Sequence, residues 1–257
     1  MKQSPKIIQS VQRAIDILEC FDYHKRELSL SEISQSLNLN ASTVHGILLT
    51  LQINEYIKKI PEKSKYKLGT KLLEKGNMVL EGLDIREIAR PYLELLTNNF
   101  EETSHLCIYQ LGYLYVIDKM EPPISGFYMT SKVGLRIPLH SSASGKLILA
   151  YLNEKDLKEV LNRITLERYT ENTLSDVKMI RENLENIKKQ GYALENEEFE
   201  SGLYTIAAPI FNHKGEIMGT ISVLGPTKRI KAKQDLIIND LKYYCKNVSK
   251  SIGFNLT

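Results

Sequence analysis

The chain has 257 residues, 42% hydrophobic and 25% charged, with a net charge of +3 at neutral pH. That balance fits a globular protein of about two domains and excludes collagen-like and low-complexity classes. An apolar run of bilayer length and a signal-peptide core are both missing, and Cys20, Cys107 and Cys245 are too few and too scattered for a disulfide framework or a zinc motif, so the expectation is a cytoplasmic protein without membrane partner, metal or cofactor.

The charge is unevenly placed. The whole excess of +3 lies in residues 1–69, and residues 70–257 are balanced. Within 58–67, Lys58, Lys59, Lys63, Lys65 and Lys67 face a single acid, Glu62. A cluster of this kind reads either as a solvated hairpin or as a footprint for nucleic acid.

In chain order, residues 8–21 have helical spacing, with Val11, Ala14, Ile15, Leu18 and Phe21 on one face. Residues 22–28 are polar and read as a loop. Ser29-Leu30-Ser31-Glu32 has the spacing of a capping box and predicts a short helix. Asn38 and Asn40 bracket a tight turn, and Asn40 is placed to cap a second helix, Ala41–Ile53. The lysine-rich stretch 56–68 alternates like a small β-hairpin. Helix, turn, helix and basic hairpin together predict a winged helix-turn-helix over residues 1–69, with one helix for the major groove and a cationic finger for the phosphates.

The second helix needs a core face and a DNA face. Val44, Ile47, Leu48 and Leu51 have core spacing, which leaves Ala41, Ser42, Thr43, His45 and Gly46 outward near the N-terminus. Hydroxyls there suit base edges or phosphates, and the helix start attracts phosphate. Each residue has a plainer alternative: ordinary N-terminal helix chemistry for Ser42 and Thr43, a surface or packing role for His45, and a weak point of about 1 kcal/mol for Gly46. Arg13 reads equally as a phosphate contact or as a partner of Asp16 or Glu19. The candidate DNA-binding set is Arg13, Ser31, Ala41, Ser42, Thr43, His45, Gly46, Lys58, Lys59, Lys63 and Lys65. One head offers few contacts, so specificity predicts a dimer on two half-sites of duplex DNA.

Residues 70–83 read as a linker helix, with Leu72, Leu73, Met78 and Leu80 as apolar positions and Gly76 and Gly82 as weak points. A helix follows from Asp84 to about residue 99, with a kink or restart expected at Pro91. From His105 the period changes. Residues 105–110 and 113–120 flank Leu111-Gly112 as a hairpin, and 127–130 is a short strand candidate. Residues 142–152, 154–161 and 173–190 look helical. Two strands, 204–211 and 216–224, flank a turn at 212–215, and a helix over 233–253 follows. Strands and helices in this order predict an α+β unit with one antiparallel sheet over residues 84–257.

Several of these stretches together resemble IclR-type bacterial transcriptional regulators over residues 10–230. In the head they are Val11-Gln12-Arg13-Ala14-Ile15-Asp16-Ile17-Leu18, Leu30-Ser31-Glu32-Ile33, Ser42-Thr43-Val44-His45 and Tyr66-Lys67-Leu68-Gly69. In the second half they are Ile137-Pro138-Leu139-His140, Ala143-Ser144-Gly145-Lys146, Glu197-Glu198 leading to Gly202, Ile206-Ala207-Ala208-Pro209-Ile210-Phe211 and Ser222-Val223-Leu224-Gly225-Pro226. The resemblance implies a winged-helix head, a linker helix and a GAF-like effector domain for a small molecule, assembled as a homodimer or a tetramer built as a dimer of dimers. It places the ligand against the helix that starts near Ala143. Ala143 and Ser144 fall at the anion-facing turn, Glu195, Thr205, Ser222 and Leu224 at other lining positions, and Met129, Leu135 and Leu203 in an apolar wall. Leu224 stands where some relatives have a second hydroxyl or thiol, which favours a ligand with an apolar part. The family pattern has a basic residue at the position of Gly46 and a glycine at that of Asn54, where asparagine tolerates a left-handed backbone.

The expected function is a ligand-responsive transcriptional regulator, a repressor of a catabolic operon sensing a small carboxylate, and not an enzyme. Ser144-Gly145-Lys146 lacks the upstream glycine and the following hydroxyl of a phosphate-binding loop. It also lacks the serine of S-x-x-K, since position 143 is alanine. The five histidines have no metal spacing. The alternatives are a GAF-domain enzyme or metal-dependent sensor using Glu195, Glu197, Glu198 and His140, and an adaptor whose winged helix contacts protein.

Overall fold

The computed structural model describes residues 7–81, 84–123 and 131–254. The chain divides into two compact units, Met1–Gly82 and Leu83–Thr257. Among the described residues, no helix is long and apolar enough to cross a membrane.

The first unit contains α1 (Gln9–Glu19), β1 (Leu28–Ser29), α2 (Leu30–Leu37), α3 (Ala41–Ile53), β2 (Ile57–Ile60), β3 (Lys65–Leu68) and α4 (Lys71–Glu81). The three strands form an antiparallel sheet in the order β1-β3-β2. Its core is Ile17, Phe21, Ile33, Val44, Leu48, Ile57 and Tyr66. The capping box is formed: the Ser29 hydroxyl accepts from the Glu32 amide at 3.2 Å, and the Glu32 carboxylate accepts from the Ser29 amide at 2.7 Å. Asn38 ends α2 in the left-handed conformation at φ 50°.

Three local expectations for this unit need correction. Val11 and Ile15 are 54% and 47% exposed, and the inward face of α1 is carried by Ile17, with Ala14 and Leu18 half-buried. Asn40 sits at the N-cap of α3 but its side chain makes no capping bond. Asn54 is not left-handed. It has φ −90°, and the left-handed residue before the wing is Glu55, at φ 64°. A glycine is indispensable where the chain leaves the wing: a Cβ on Gly69, after β3, would sit 2.0 Å from the Glu55 carbonyl oxygen. Because a side chain at Glu55 strains a left-handed backbone, Glu55→Gly is expected to stabilise the first unit by about 1 kcal/mol. Urea unfolding followed through the α3 amides checks this, and a loss of stability would show that the Glu55 side chain contributes more than its backbone costs.

The second unit contains α5 (Asp84–Phe100), β4 (Thr103–Gln110), β5 (Tyr113–Met120), β6 (Arg136–Ile137), α6 (Ala143–Tyr151), α7 (Glu154–Arg163), α8 (Val177–Gln190), β7 (Ala193–Asn196), β8 (Leu203–Phe211), β9 (Ile217–Pro226), α9 (Thr227–Ala232) and α10 (Gln234–Ser251). Pro91 lies inside one uninterrupted helix, so the expected restart does not occur. Leu111 and Gly112, at φ 51° and 84°, make the tight turn between β4 and β5. The candidate strand over 127–130 lies outside the described residues.

The six strands pair in the order β6-β5-β4-β9-β8-β7, antiparallel throughout. Side chains alternate across such a sheet. One face turns Cys107, Val116, Ala193 and Ala207 toward α6 and α8. The other meets α5 and α10, where the Ser104 hydroxyl donates to the Leu93 carbonyl at 3.0 Å and the Tyr204 hydroxyl donates to Gln234 at 2.7 Å. Strand register therefore decides which polar side chains come together under α6.

Candidate functional site

The exposed face of the head starts at α3. Val44 and Leu48 are fully buried, while Ala41, Ser42, His45 and Gly46 are exposed and Thr43 is half-exposed. This is the division of faces expected from spacing. Without a side-chain cap at Asn40, the first-turn amides stay available to an oxyanion at the positive end of the helix. Ser31 is exposed on α2, its hydroxyl 3.0 Å from that of Ser29. Arg13 makes no ion pair with Asp16, which instead accepts from Gln12 at 2.8 Å, and its Nε is buried without a partner among the described residues.

The wing separates its lysines into two kinds. Lys63 pairs with Glu27 at 2.8 Å and Lys65 approaches Glu32 at 3.8 Å. Lys58 and Lys67 are exposed and stand directly opposite each other across β2 and β3, and neither is in a direct ion pair among the described residues, although Lys67 lies within the field of Glu27. Like charges in cross-strand register repel, so this pair is relieved by a phosphate more than Lys63 or Lys65 would be. Lys59 lies over the Tyr66 ring at 5.8 Å. Sequence reading left Lys67 out of the candidate set, and only the hairpin register reveals its place beside Lys58.

In the second unit, Thr103, His105 and Cys107 of β4 are in register with Leu224, Ser222 and Thr220 of β9. Leu224 and Ser222 in turn face Thr205 and Ala207 of β8, and Thr205 faces Glu195 of β7. One continuous sheet face thus gathers Glu195, Leu203, Thr205, Ser222 and Leu224 of the expected set, all buried. Ala143 and Ser144 join them at the start of α6: the Ser144 and Thr220 hydroxyls approach the Cys107 thiol, and burial pushes that thiol up to about 12. The N-cap Ser142 hydroxyl accepts from Gly145 at 3.0 Å, which leaves the Ala143 and Ser144 amides as the donors of the first turn without an acceptor among the described residues. Leu135 is half-buried beside β5, accepting from the Val116 amide at 3.0 Å. Met129 lies outside the described residues.

The family follows from comparison with known proteins. The model of the IclR helix-turn-helix domain matches residues 10–61, and that of the bacterial transcriptional regulator IclR C-terminal domain matches residues 77–250. The chain belongs to the IclR family of transcriptional regulators. Among its relatives is the HTH-type transcriptional regulator XynR of Escherichia coli, 36% identical over 87% of this chain and 88% of that protein. The crystal structure of Thermotoga maritima IclR is 32% identical, covers 95% of this chain and 99% of its own, and superposes with a TM-score of 0.73. An IclR homologue from Microbacterium hydrocarbonoxydans, solved in complex with 4-hydroxybenzoate, is 21% identical with a TM-score of 0.80 over 95% of this chain and 99% of its own, and speaks for the fold alone.

Within this IclR-family effector unit, the acidic stretch around Glu195 is anchored in the sheet. Glu195 is 1% exposed on β7, and its carboxylate accepts from the Thr205 hydroxyl at 2.8 Å and from the Glu198 and Phe199 amides at 2.8 and 3.2 Å. Those bonds fasten the 195–199 turn and leave less of the carboxylate for a ligand. His140 is buried, bonds the Glu167 carbonyl at 2.9 Å and stacks on Tyr169, which makes it a packed side chain. No group of three or more metal-ligating side chains occurs among the described residues.

The structure also brings forward residues that sequence reading did not single out. Lys146 is 1% exposed, one turn into α6, and is ion-paired with the buried Glu198. His105 is buried on the same face as Ser222, with Nε2 3.0 Å from the Ser131 hydroxyl, and burial holds its pKa down at about 3. The imidazole is therefore neutral. A lysine inside a helix that is otherwise apolar was the one available signal, because a lysine at such a position needs a partner.

Glu195 gives the unit a pH dependence. Burial raises its pKa from 4.5 to about 7, so the folded state holds a proton that the unfolded state releases. The contribution is fully present below the unfolded value and is lost as pH rises through about 7. Glu195→Gln is expected to remove this slope and to gain on the wild type between about pH 5 and about pH 8. Urea midpoints of both proteins across that range are the check, and parallel curves would contradict it.

Proposed function

We propose that this regulator is a repressor of a catabolic operon that releases its operator on binding a small carboxylate with an apolar part. In this reading Arg13, Ser31, Ala41, Ser42, Thr43, His45, Gly46 and the wing lysines contact the duplex. Two heads of a homodimer, or of a dimer of dimers, read two half-sites about one helical turn apart. The observation that carries the DNA side is the uncapped, exposed first turn of α3, with Val44 and Leu48 buried behind it.

The sensing side rests on the open amides of Ala143 and Ser144 above a sheet face rich in hydroxyls. A carboxylate accepts from such amides and is favoured by the helix dipole. Leu135, Leu203 and Leu224 supply apolar wall, in keeping with a ligand like the aromatic acid held by the Microbacterium homologue. Coupling to the head runs through residues 70–83, with a size of about 1–3 kcal/mol.

The reading is tested by selecting genomic fragments on the purified full chain at low salt. A pseudo-palindromic site whose affinity falls steeply with salt is expected. Retention of no fragment would overturn the DNA reading in favour of a protein-binding adaptor.

A further inference from the structure

A cavity of about 250 Å³ opens where β5 and β6 meet the end of α7. It shares no residue with the sensor face. Two guanidinium groups converge there on one aromatic ring. The Cζ atoms of Arg136 and Arg163 lie 4.3 and 5.3 Å from the centroid of Tyr113. Each is seated by a neutral acceptor. Arg136 Nε donates to the Tyr115 hydroxyl at 3.1 Å, and Arg163 Nη2 donates to the Gly112 carbonyl at 2.8 Å. The second seat depends on glycine, since a Cβ on Gly112 would come within 1.8 Å of Arg163 Nη2.

Neither arginine is ion-paired with a carboxylate among the described residues. Each guanidinium has five N–H donors, and the seating bond uses one. Two cations gathered on a ring, with donors to spare and no counter-charge, repel each other until an anion arrives. The planar fork of each matches an oxyanion bidentately. Ile164, Leu139 and the Tyr169 ring add an apolar wall, with buried His140 behind them.

We infer that this cavity is a second ligand site, taking a small molecule that bears a carboxylate or phosphate group held between Arg136 and Arg163. The site is independent of the proposed repressor function, because none of its residues belongs to the sensor or DNA sets. It gives the effector unit a place to register a second anion.

The test follows the Arg136 and Arg163 Nε–Hε signals of the full chain while inorganic phosphate, and separately benzoate, is added. Saturable shifts of both signals with at least one probe are expected, and which probe saturates tells phosphate from carboxylate. Arg163→Gln and Arg136→Gln should each weaken that binding about tenfold or more. Arg163→Lys, which keeps the charge without the fork, should weaken it as well. Both side chains are exposed, and an unchanged melting temperature shows that each variant is folded. Ser144→Ala should leave the affinity unchanged. Non-saturating shifts that persist in Arg163→Gln, or binding lost in Ser144→Ala, would overturn the proposal: the first means screening by bulk ions and the second means occupancy of the sensor face. No shift with either probe would overturn it equally.

Discussion

Lys146→Met is expected to destabilise the effector unit by about 3–5 kcal/mol, the largest single-residue effect in the molecule. Methionine keeps most of the lysine stem, so apolar packing of α6 is nearly preserved. What is lost is the cation facing Glu198, whose carboxylate is buried and has one oxygen, Oε2, already without a partner among the described residues. Glu198 cannot turn to water cheaply. Its amide donates to Glu195, and its carbonyl accepts from the Thr173 hydroxyl at 2.6 Å. The double variant Lys146→Met/Glu198→Leu should recover most of the loss, because removing both charges also removes their desolvation cost. Denaturant unfolding of the two single variants and the double variant measures this. Additive losses in the double variant would mean that the pair is held by packing and that its charges are incidental.

The second large effect concerns DNA. Lys58→Ala/Lys67→Ala should lower the slope of log affinity against log salt by about 2, near one for each phosphate contact removed. The fall in affinity should be the same for specific and non-specific duplexes, since phosphates carry no sequence information. Lys63→Ala/Lys65→Ala should do less, because Glu27 and Glu32 already offset those charges. By contrast, Ser42→Ala or His45→Ala should cost about 1–3 kcal/mol on the specific site only. Fluorescence anisotropy over a salt series distinguishes these cases. Equal slopes for the two lysine pairs would refute the division of the wing.

Much of the head was legible because its signals are local. The capping box at Ser29, the core spacing of Val44 and Leu48, and the alternation of 56–68 each act within a few residues. Where local reading failed, a neighbouring element decided the outcome. Packing against α2 and α3 draws Ile17 inward, which turns Val11 and Ile15 out. The left-handed residue before the wing is Glu55 and not Asn54, and its carbonyl lies against Gly69 at the far end of the hairpin. In the effector unit, the four long strands were readable, while the short strands β6 and β7 and all strand partners were not. His105 meets Ser222 across 116 intervening positions only because β4 lies beside β9. Pairing of β7 with β8 sets Glu195 against Thr205 and buries it, and the convergence of Arg136 and Arg163 on Tyr113 has no local sequence signature at all.

One proposition joins the two units: occupancy of the α6 face by a small acid changes the grip of the head on DNA. Its most direct measurement is operator affinity of the full chain with and without a carboxylate that raises its melting temperature. A change of about 5–150-fold, lost in Ser144→Ala, is predicted. An affinity unchanged at saturating ligand would contradict the account.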